Sequence, residues 1–134
     1  MRVVIDTNIL FSSLLAGHSR LRDILLESEH EFYAPNYLFV ELFRYKDKIK
    51  KVGKLKEDDL LAYLQMVLEK IHFVQINLIS DENRQIAYDL CKEVDVKDTV
   101  FVALCLELDA QLWTKDKKLK NHLLQKGFNQ IFEY

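Results

Sequence analysis

The chain has 134 residues, of which 49% are hydrophobic and 30% are charged, and its formal net charge is -2. This composition suits one globular domain, so we expect a single domain over residues 1-134, and the charge excludes a uniformly basic surface but not a local basic patch. No apolar stretch of signal-peptide type or of membrane-spanning length is present, which predicts a cytoplasmic protein without a membrane partner.

Short apolar runs alternate with helical patterns along the chain. Val3-Val4-Ile5 predicts a first strand that is buried on both faces, and Thr7 or Asn8 is placed to cap a helix ending near Gly17. A second strand over 31–34 precedes a long helix that Pro35 opens. The later predicted elements are a helix from about 58 to 71, a strand over 73–76, a helix capped by Ser80, a buried helix over 99–108, a strand over 111–114, a helix over 117–126 and a last strand over 128–132.

The alternation of strands and helices predicts the fold class. Strands that are joined by helices pair in parallel through right-handed crossovers, and the helices then cover both faces of the sheet. We therefore expect an α/β fold, a three-layer α/β/α sandwich with a central parallel five-stranded sheet. The two cysteines, Cys91 and Cys105, have no CxxC spacing and are expected to be free buried thiols.

Four carboxylates stand out by their position. Asp6 ends the first strand, Asp116 follows the strand over 111–114, and Asp98 opens the buried helix. Glu41 falls on the apolar face of the long helix, three residues after Leu38. Each has an ordinary alternative: a turn aspartate for Asp6, a buried ion pair for Glu41, a helix N-cap for Asp98 and a surface turn for Asp116.

These acids can converge at one edge of the predicted sheet, because open α/β sheets bind ligands beyond the carboxyl ends of their strands. Two like charges about 4 Å apart repel by roughly 4 kcal/mol at an effective dielectric near 20. Such a group must bind protons or a divalent cation, and ligation by oxygen alone favours Mg²⁺ or Mn²⁺ over zinc. Neither a GxxxxGK[ST] loop nor a Ser-His-Asp constellation is present.

Four blocks of the sequence, in this order, resemble the PIN domain family. They are residues 4–10 (VIDTNIL), 35–42 (PNYLFVEL), 95–104 (DVKDTVFVAL) and 112–116 (LWTKD). The resemblance implies a metal-dependent ribonuclease with a central parallel sheet. Many small relatives are the toxin component of VapBC-type toxin–antitoxin pairs, which implies a homodimer and a cognate antitoxin protein as partners.

The resemblance also implies roles for single residues. Asp6, Glu41, Asp98 and Asp116 match the family's acidic quartet, which implies that they are catalytic and bind the metal. Asn8 and Thr114 match positions that usually support this site. Asp95 lies one helical turn before Asp98 and stays open as the alternative ligand, although we favour Asp98 because the buried helix follows it directly.

The predicted function is hydrolysis of single-stranded or looped RNA by a metal-activated water, with Mg or Mn as the cofactor. Lysines beside Asp116, namely Lys115, Lys117 and Lys118, are candidates for RNA binding, and those between Lys46 and Lys56, which include Lys54, are weaker candidates. Two other readings remain open: a PIN-like module that binds RNA or a partner without cutting, and a receiver-like Mg-binding signalling domain. A receiver needs paired acids after its first strand, whereas Thr7 follows Asp6.

Overall fold

A parallel sheet of four strands forms the centre of the fold in the computed structural model, which describes residues 1–15, 19–53 and 56–134. The strands are β1 (Arg2–Ile5), β2 (Glu31–Pro35), β3 (Ile71–Val74) and β4 (Gln111–Trp113), in the order β3-β2-β1-β4. This order differs from the 2-1-3-4-5 order of receiver domains. The described residues also form the helices α1 (Thr7–Ser13), α2 (Ser19–Glu27), α3 (Tyr37–Gly53), α4 (Glu57–Leu68), α5 (Asp81–Cys91), α6 (Thr99–Leu108) and α7 (Lys117–Gln125).

The register of the sheet brings two strand ends level with each other. β1 pairs with β4 in parallel, and Ile5 lies opposite Trp113. Asp6 and Thr114, the residues that follow these two, therefore leave the sheet at the same edge. The backbone amide of Asp6 donates to the carbonyl of Trp113 at 3.3 Å, so the pairing of the two strands extends to Asp6.

Helices cover both faces of this sheet, because successive side chains of a strand point to opposite faces. Val3 and Ile5 belong to a buried cluster that also contains side chains of α1, α2, α3 and α4. Val4 belongs to a second buried cluster, formed with α5, α6 and α7. Cys91 and Cys105 are buried free thiols within it, as predicted.

The predicted fifth strand over 128–132 is not formed, so the expected five-stranded sheet is wrong. The C-terminal segment meets β4 through one parallel bridge between Leu112 and Ile131. Leu112 donates to the carbonyl of Gln130 and accepts from the amide of Phe132, both at 2.8 Å. The amide of Ile131 donates to the carbonyl of Asn129 within the same segment. The parallel pairing with β4 therefore does not extend beyond this bridge.

Three helix starts test the predicted caps. The carboxylate of Asp6, rather than Thr7 or Asn8, caps α1 by accepting from the amide of Ile9 at 2.9 Å. Pro35 ends β2 instead of opening a helix, and α3 begins at Tyr37. The Ser80 cap of α5 is confirmed.

The predicted helix end at Gly17 lies outside the described residues, as does Lys54. Among the helices of the described ranges, none has both the length and the apolar character that crossing a bilayer demands.

Candidate active site

Asp6 lies at the carboxyl end of β1 with only 6% of its surface exposed. Burial of the charged form raises the pKa of this carboxyl above its usual value. Hydrogen bonds from the Thr114 side chain and from the backbone of Ile9 and Asn8 act in the opposite direction, while the nearby charge of Asp116 raises the pKa further. Asp6 is therefore a helix cap and, at the same time, a buried acid with another acid close by.

Asp98 occupies the end of a short 3-10 turn, Val96–Asp98, directly before α6. Although it holds the N-cap position of α6, its side chain makes no capping hydrogen bond. Burial raises the pKa of Asp98 to about 7, and the further contributions come from the charges of Asp95, Asp6, Asp116 and Glu41. The charges of all the other members of the predicted quartet therefore raise the pKa of this half-buried carboxyl.

Glu41 reaches the same region from α3. Its carboxylate accepts a hydrogen bond from the hydroxyl of Thr7 at 3.1 Å, which joins α3 to the first turn of α1. Within the described ranges no lysine or arginine forms an ion pair with Glu41, so the predicted alternative of a buried ion pair is not observed. The charge of Glu41 contributes to the raised pKa of Asp98.

Asp116 is held at the start of α7, where its carboxylate accepts from the amide of Leu119 at 3.1 Å. Its own amide donates to the hydroxyl of Thr114 at 3.1 Å. Thr114 is almost fully buried and also lowers the pKa of Asp6, so one hydroxyl connects two of the acids. Asp116 itself is exposed, as the surface-turn reading expected, but it belongs to a helix cap.

Two adjoining cavities open at this edge of the sheet. The first, here called the acidic cavity, has a volume of about 380 Å³ and is lined by acids that include Asp6, Asp95 and Asp98. The second, here called the adjoining cavity, has a volume of about 690 Å³ and is lined by Lys115 and Asp116 among others. Three residues line both cavities, namely Asn8, Glu41 and Tyr45.

The other residues that the sequence proposed for the site differ in their relation to the two cavities. Asp95 is exposed, lines the acidic cavity and accepts from the amide of Lys97 at 3.0 Å, so it has a capping role that Asp98 lacks. Lys117 and Lys118 are exposed on α7 and line neither of the two cavities.

The acids do not form a closed metal cage. In the part of the chain that the structure describes, no three His, Cys, Asp or Glu side chains are close enough together to form a preformed metal site. Mg²⁺, however, usually keeps several waters and contacts only one or two protein carboxylates directly. Oxygen donors around an acid whose pKa is raised to about 7 therefore suit a hydrated hard cation.

Sequence reasoning missed several residues of the acidic cavity, above all Thr7, Arg44 and Lys97. Their sequence positions carried a signal. Thr7 and Lys97 are direct neighbours of Asp6 and Asp98, and Arg44 lies three residues after Glu41, on the same side of a helix. Arg44 and Lys97 add positive charge at the rim of a cavity that is otherwise acidic.

Comparisons with known proteins give a consistent result. The family model described as the PIN domain matches residues 4–127. A chain in the crystal structure of VapBC2 from Rickettsia felis, bound to a DNA fragment from the promoter, is similar in fold with a TM-score of 0.63 and 15% sequence identity. That alignment covers 98% of this chain and 96% of the other. No curated protein sequence matches the chain.

Proposed function

The chain belongs to the PIN domain family, and from this membership we propose that it is a metal-dependent endoribonuclease. The proposed enzyme is a single nuclease domain over residues 1-134 that hydrolyses phosphodiester bonds of single-stranded or looped RNA. The observation that carries the proposal is the acidic cavity, which Asp6, Glu41 and Asp98 line together from three separate segments. Asp116 lines the adjoining cavity, and its charge contributes to the raised pKa of Asp98. Acids from separate segments that line two adjoining cavities suit phosphodiester chemistry, in which carboxylates hold a hydrated cation.

We assign direct roles in catalysis to Asp6, Glu41, Asp98 and Asp116. Asp6 and Asp98 would hold Mg²⁺ or Mn²⁺ together with Asp116, and Glu41 would bind directly or through water. Such a cation, when bound, lowers the pKa of a coordinated water and offsets negative charge on the phosphodiester.

The remaining residues position these acids. The Thr7 hydroxyl fixes the Glu41 carboxylate at 3.1 Å, and Thr114 orients Asp116 through the amide of that residue. Asn8 lines both cavities, where its amide can hydrogen bond to substrate or to bound water. Asp95 remains the alternative ligand, although its carboxylate already caps the turn before α6.

We further propose that the protein is the toxin component of a toxin–antitoxin pair. Its fold is similar to a chain of VapBC2 over nearly the full length of both, which supports an antitoxin partner. The proposal includes a homodimer and a cytoplasmic location, where RNA substrates are present. Co-expression with the product of a neighbouring reading frame, followed by co-purification, tests the partner.

A cleavage assay tests the enzymatic proposal. Purified protein is incubated with single-stranded and duplex RNA in Mg²⁺, Mn²⁺ or EDTA, and the ends of the products are analysed. We expect metal-dependent cleavage of single-stranded RNA that leaves 5′-phosphate and 3′-hydroxyl ends, and loss of cleavage in Asp6→Asn and Asp98→Asn. The matched control is Asp23→Asn, which changes an exposed acid on α2. Cleavage that persists in EDTA, or in both site variants, contradicts the assignment.

The second candidate is a PIN-like module that binds RNA or a protein partner without cutting. The missing preformed group of three metal-binding side chains among the described residues favours this alternative. The same assay separates the two, because the module would bind single-stranded RNA and leave it intact at every concentration of Mn²⁺.

A further inference from the structure

The adjoining cavity combines aromatic, basic and acidic side chains beside the proposed cleavage site. Its volume of about 690 Å³ falls within the roughly 300–1,000 Å³ typical of sites for drug-sized ligands, a class that a nucleoside resembles in size. Phe11 and Tyr45 line it, and their rings meet edge to face with centroids 6.0 Å apart. Lys48 and Lys115 line it as well. The proposed chemistry needs the four acids, but it makes no use of these rings or ammonium groups.

We propose that this cavity binds one unpaired nucleoside of the RNA, next to the phosphodiester that is cut, with Tyr45 as the stacking surface. The inference rests on the proposed function and adds to it a subsite for the substrate. Tyr45 lines both cavities and keeps 38% of its surface exposed, so its ring is accessible to a ligand. Aromatic rings stack on any base, because every base has a π-face.

The position of Tyr45 connects the subsite with the acids. Glu41 and Tyr45 are four residues apart on α3, which places them on the same side of that helix. A base that stacks on Tyr45 therefore lies one helical turn from a proposed catalytic carboxylate, as a nucleotide flanking the scissile phosphate must.

Charge favours a nucleic acid as the occupant. Lys115 is fixed near α1, since its ammonium group donates to the hydroxyl of Ser12 at 3.3 Å. Together with Lys48 it supplies positive charge beside a cavity whose other side is acidic. A phosphodiester backbone that follows the base needs such partners, because phosphate contacts dominate the affinity of proteins for nucleic acids. An acidic peptide could also pair with the lysines, but its binding would not require a cavity that adjoins the proposed metal-binding acids.

Binding of fluorescent single-stranded oligoribonucleotides in EDTA tests the proposal without relying on cleavage. The variant Tyr45→Leu keeps apolar bulk and removes the stacking ring, whereas Tyr45→Phe keeps the ring. The matched control is Phe43→Leu on the same helix, because Phe43 is 78% exposed and lines neither cavity. We expect Tyr45→Leu to weaken binding by about 5- to 100-fold, while Tyr45→Phe and Phe43→Leu stay close to the unmodified protein.

Oligonucleotides with one abasic position identify the stacked base. An abasic residue at one position should weaken binding to the unmodified protein, whereas the already weakened Tyr45→Leu variant should be insensitive to that same position. Lys48→Ala and Lys115→Ala should each reduce the slope of log affinity against log salt by about 0.7. Lys70→Ala, an exposed lysine just before β3 at the opposite edge of the sheet, should leave the slope unchanged. In cleavage assays Tyr45→Leu should raise KM much more than it lowers kcat.

The outcomes separate this proposal from the function on which it rests. If the unmodified protein binds and cuts RNA while a folded Tyr45→Leu variant behaves identically, the subsite is refuted and the ribonuclease stands. If Tyr45→Leu loses binding only to a hexaglutamate peptide and keeps its affinity for RNA, the cavity belongs to a protein segment and the proposal is refuted. If the unmodified protein neither binds nor cuts RNA, both proposals are refuted together.

Discussion

Replacing Asp98 with asparagine should change how the metal-free protein responds to pH. The amide has nearly the shape of the carboxyl group but carries no charge. In the folded protein the pKa of Asp98 is raised to about 7, whereas an aspartate in an unfolded chain has a pKa of about 3.9. The folded state therefore binds more protons than the unfolded state between these values. The stability contributed by the protonated form is complete below about pH 4 and is lost as the pH rises through 7.

The size of the effect follows from the shift of about three pKa units. At about 1.36 kcal/mol per unit, the upper limit is about 4 kcal/mol between acidic and alkaline pH. The side chain is only half-buried, and water screens part of the repulsion, so we expect about 1–2 kcal/mol. For a domain of this length that corresponds to a shift of roughly 4–8 °C in Tm. Asp98→Asn should therefore be more stable than the unmodified protein at pH 8 and similar to it at pH 4.5.

Thermal or urea unfolding in EDTA, measured from pH 4.5 to pH 8.5, checks this expectation. Each variant is compared with the unmodified protein at the same pH, so that contributions common to both proteins cancel. Asp23→Asn, which removes an exposed charge on α2, is the control and should follow the unmodified protein throughout. If Asp98→Asn shows the same pH dependence as the unmodified protein, or is less stable at pH 8, the reasoning about clustered acids is wrong.

Three further predictions concern the same region. The Tm of the unmodified protein should rise with increasing Mn²⁺ concentration, and Asp6→Asn should lose most of this gain. Equal gains in Tm for both proteins, measured by calorimetry, would exclude Asp6 as a ligand. Thr7→Val removes the hydroxyl that holds Glu41, and should lower kcat roughly tenfold while the circular dichroism spectrum is preserved; unchanged kinetics would make that hydrogen bond irrelevant to catalysis. The double variant Lys117→Ala/Lys118→Ala should reduce the slope of log RNA affinity against log salt concentration by about 1.4. An unchanged slope would show that neither lysine contacts RNA phosphates.

Candidate site residues could be selected from the sequence where a local signal existed. Asp6 directly follows an apolar run, and Glu41 interrupts the apolar face of a helix, so each was conspicuous without coordinates. Tyr45 gave no such signal. It fitted the apolar face of the long helix, and only the tertiary structure shows that it lines two cavities.

Only the tertiary structure distinguishes the surroundings of Asp95 from those of Asp98. Both precede the buried helix and both line the acidic cavity, so spacing alone could not distinguish them. Their surroundings differ, because Asp95 is exposed and caps a turn, whereas Asp98 is half-buried and makes no capping bond. Burial and neighbouring charge depend on distant segments, which a sequence pattern does not report.

The sequence by itself determined the parallel α/β class, the buried first strand and the positions of four acids, three at the ends of elements and one within a helix. Those properties follow from the periodicity of neighbouring residues, which is a local quantity. Only the tertiary structure decided that the C-terminal segment contributes one bridge instead of a fifth strand, and that Glu41 meets Thr7 across 34 residues. Such pairings depend on which distant backbone and side-chain groups are free to bond, and that is fixed only when the whole chain has packed.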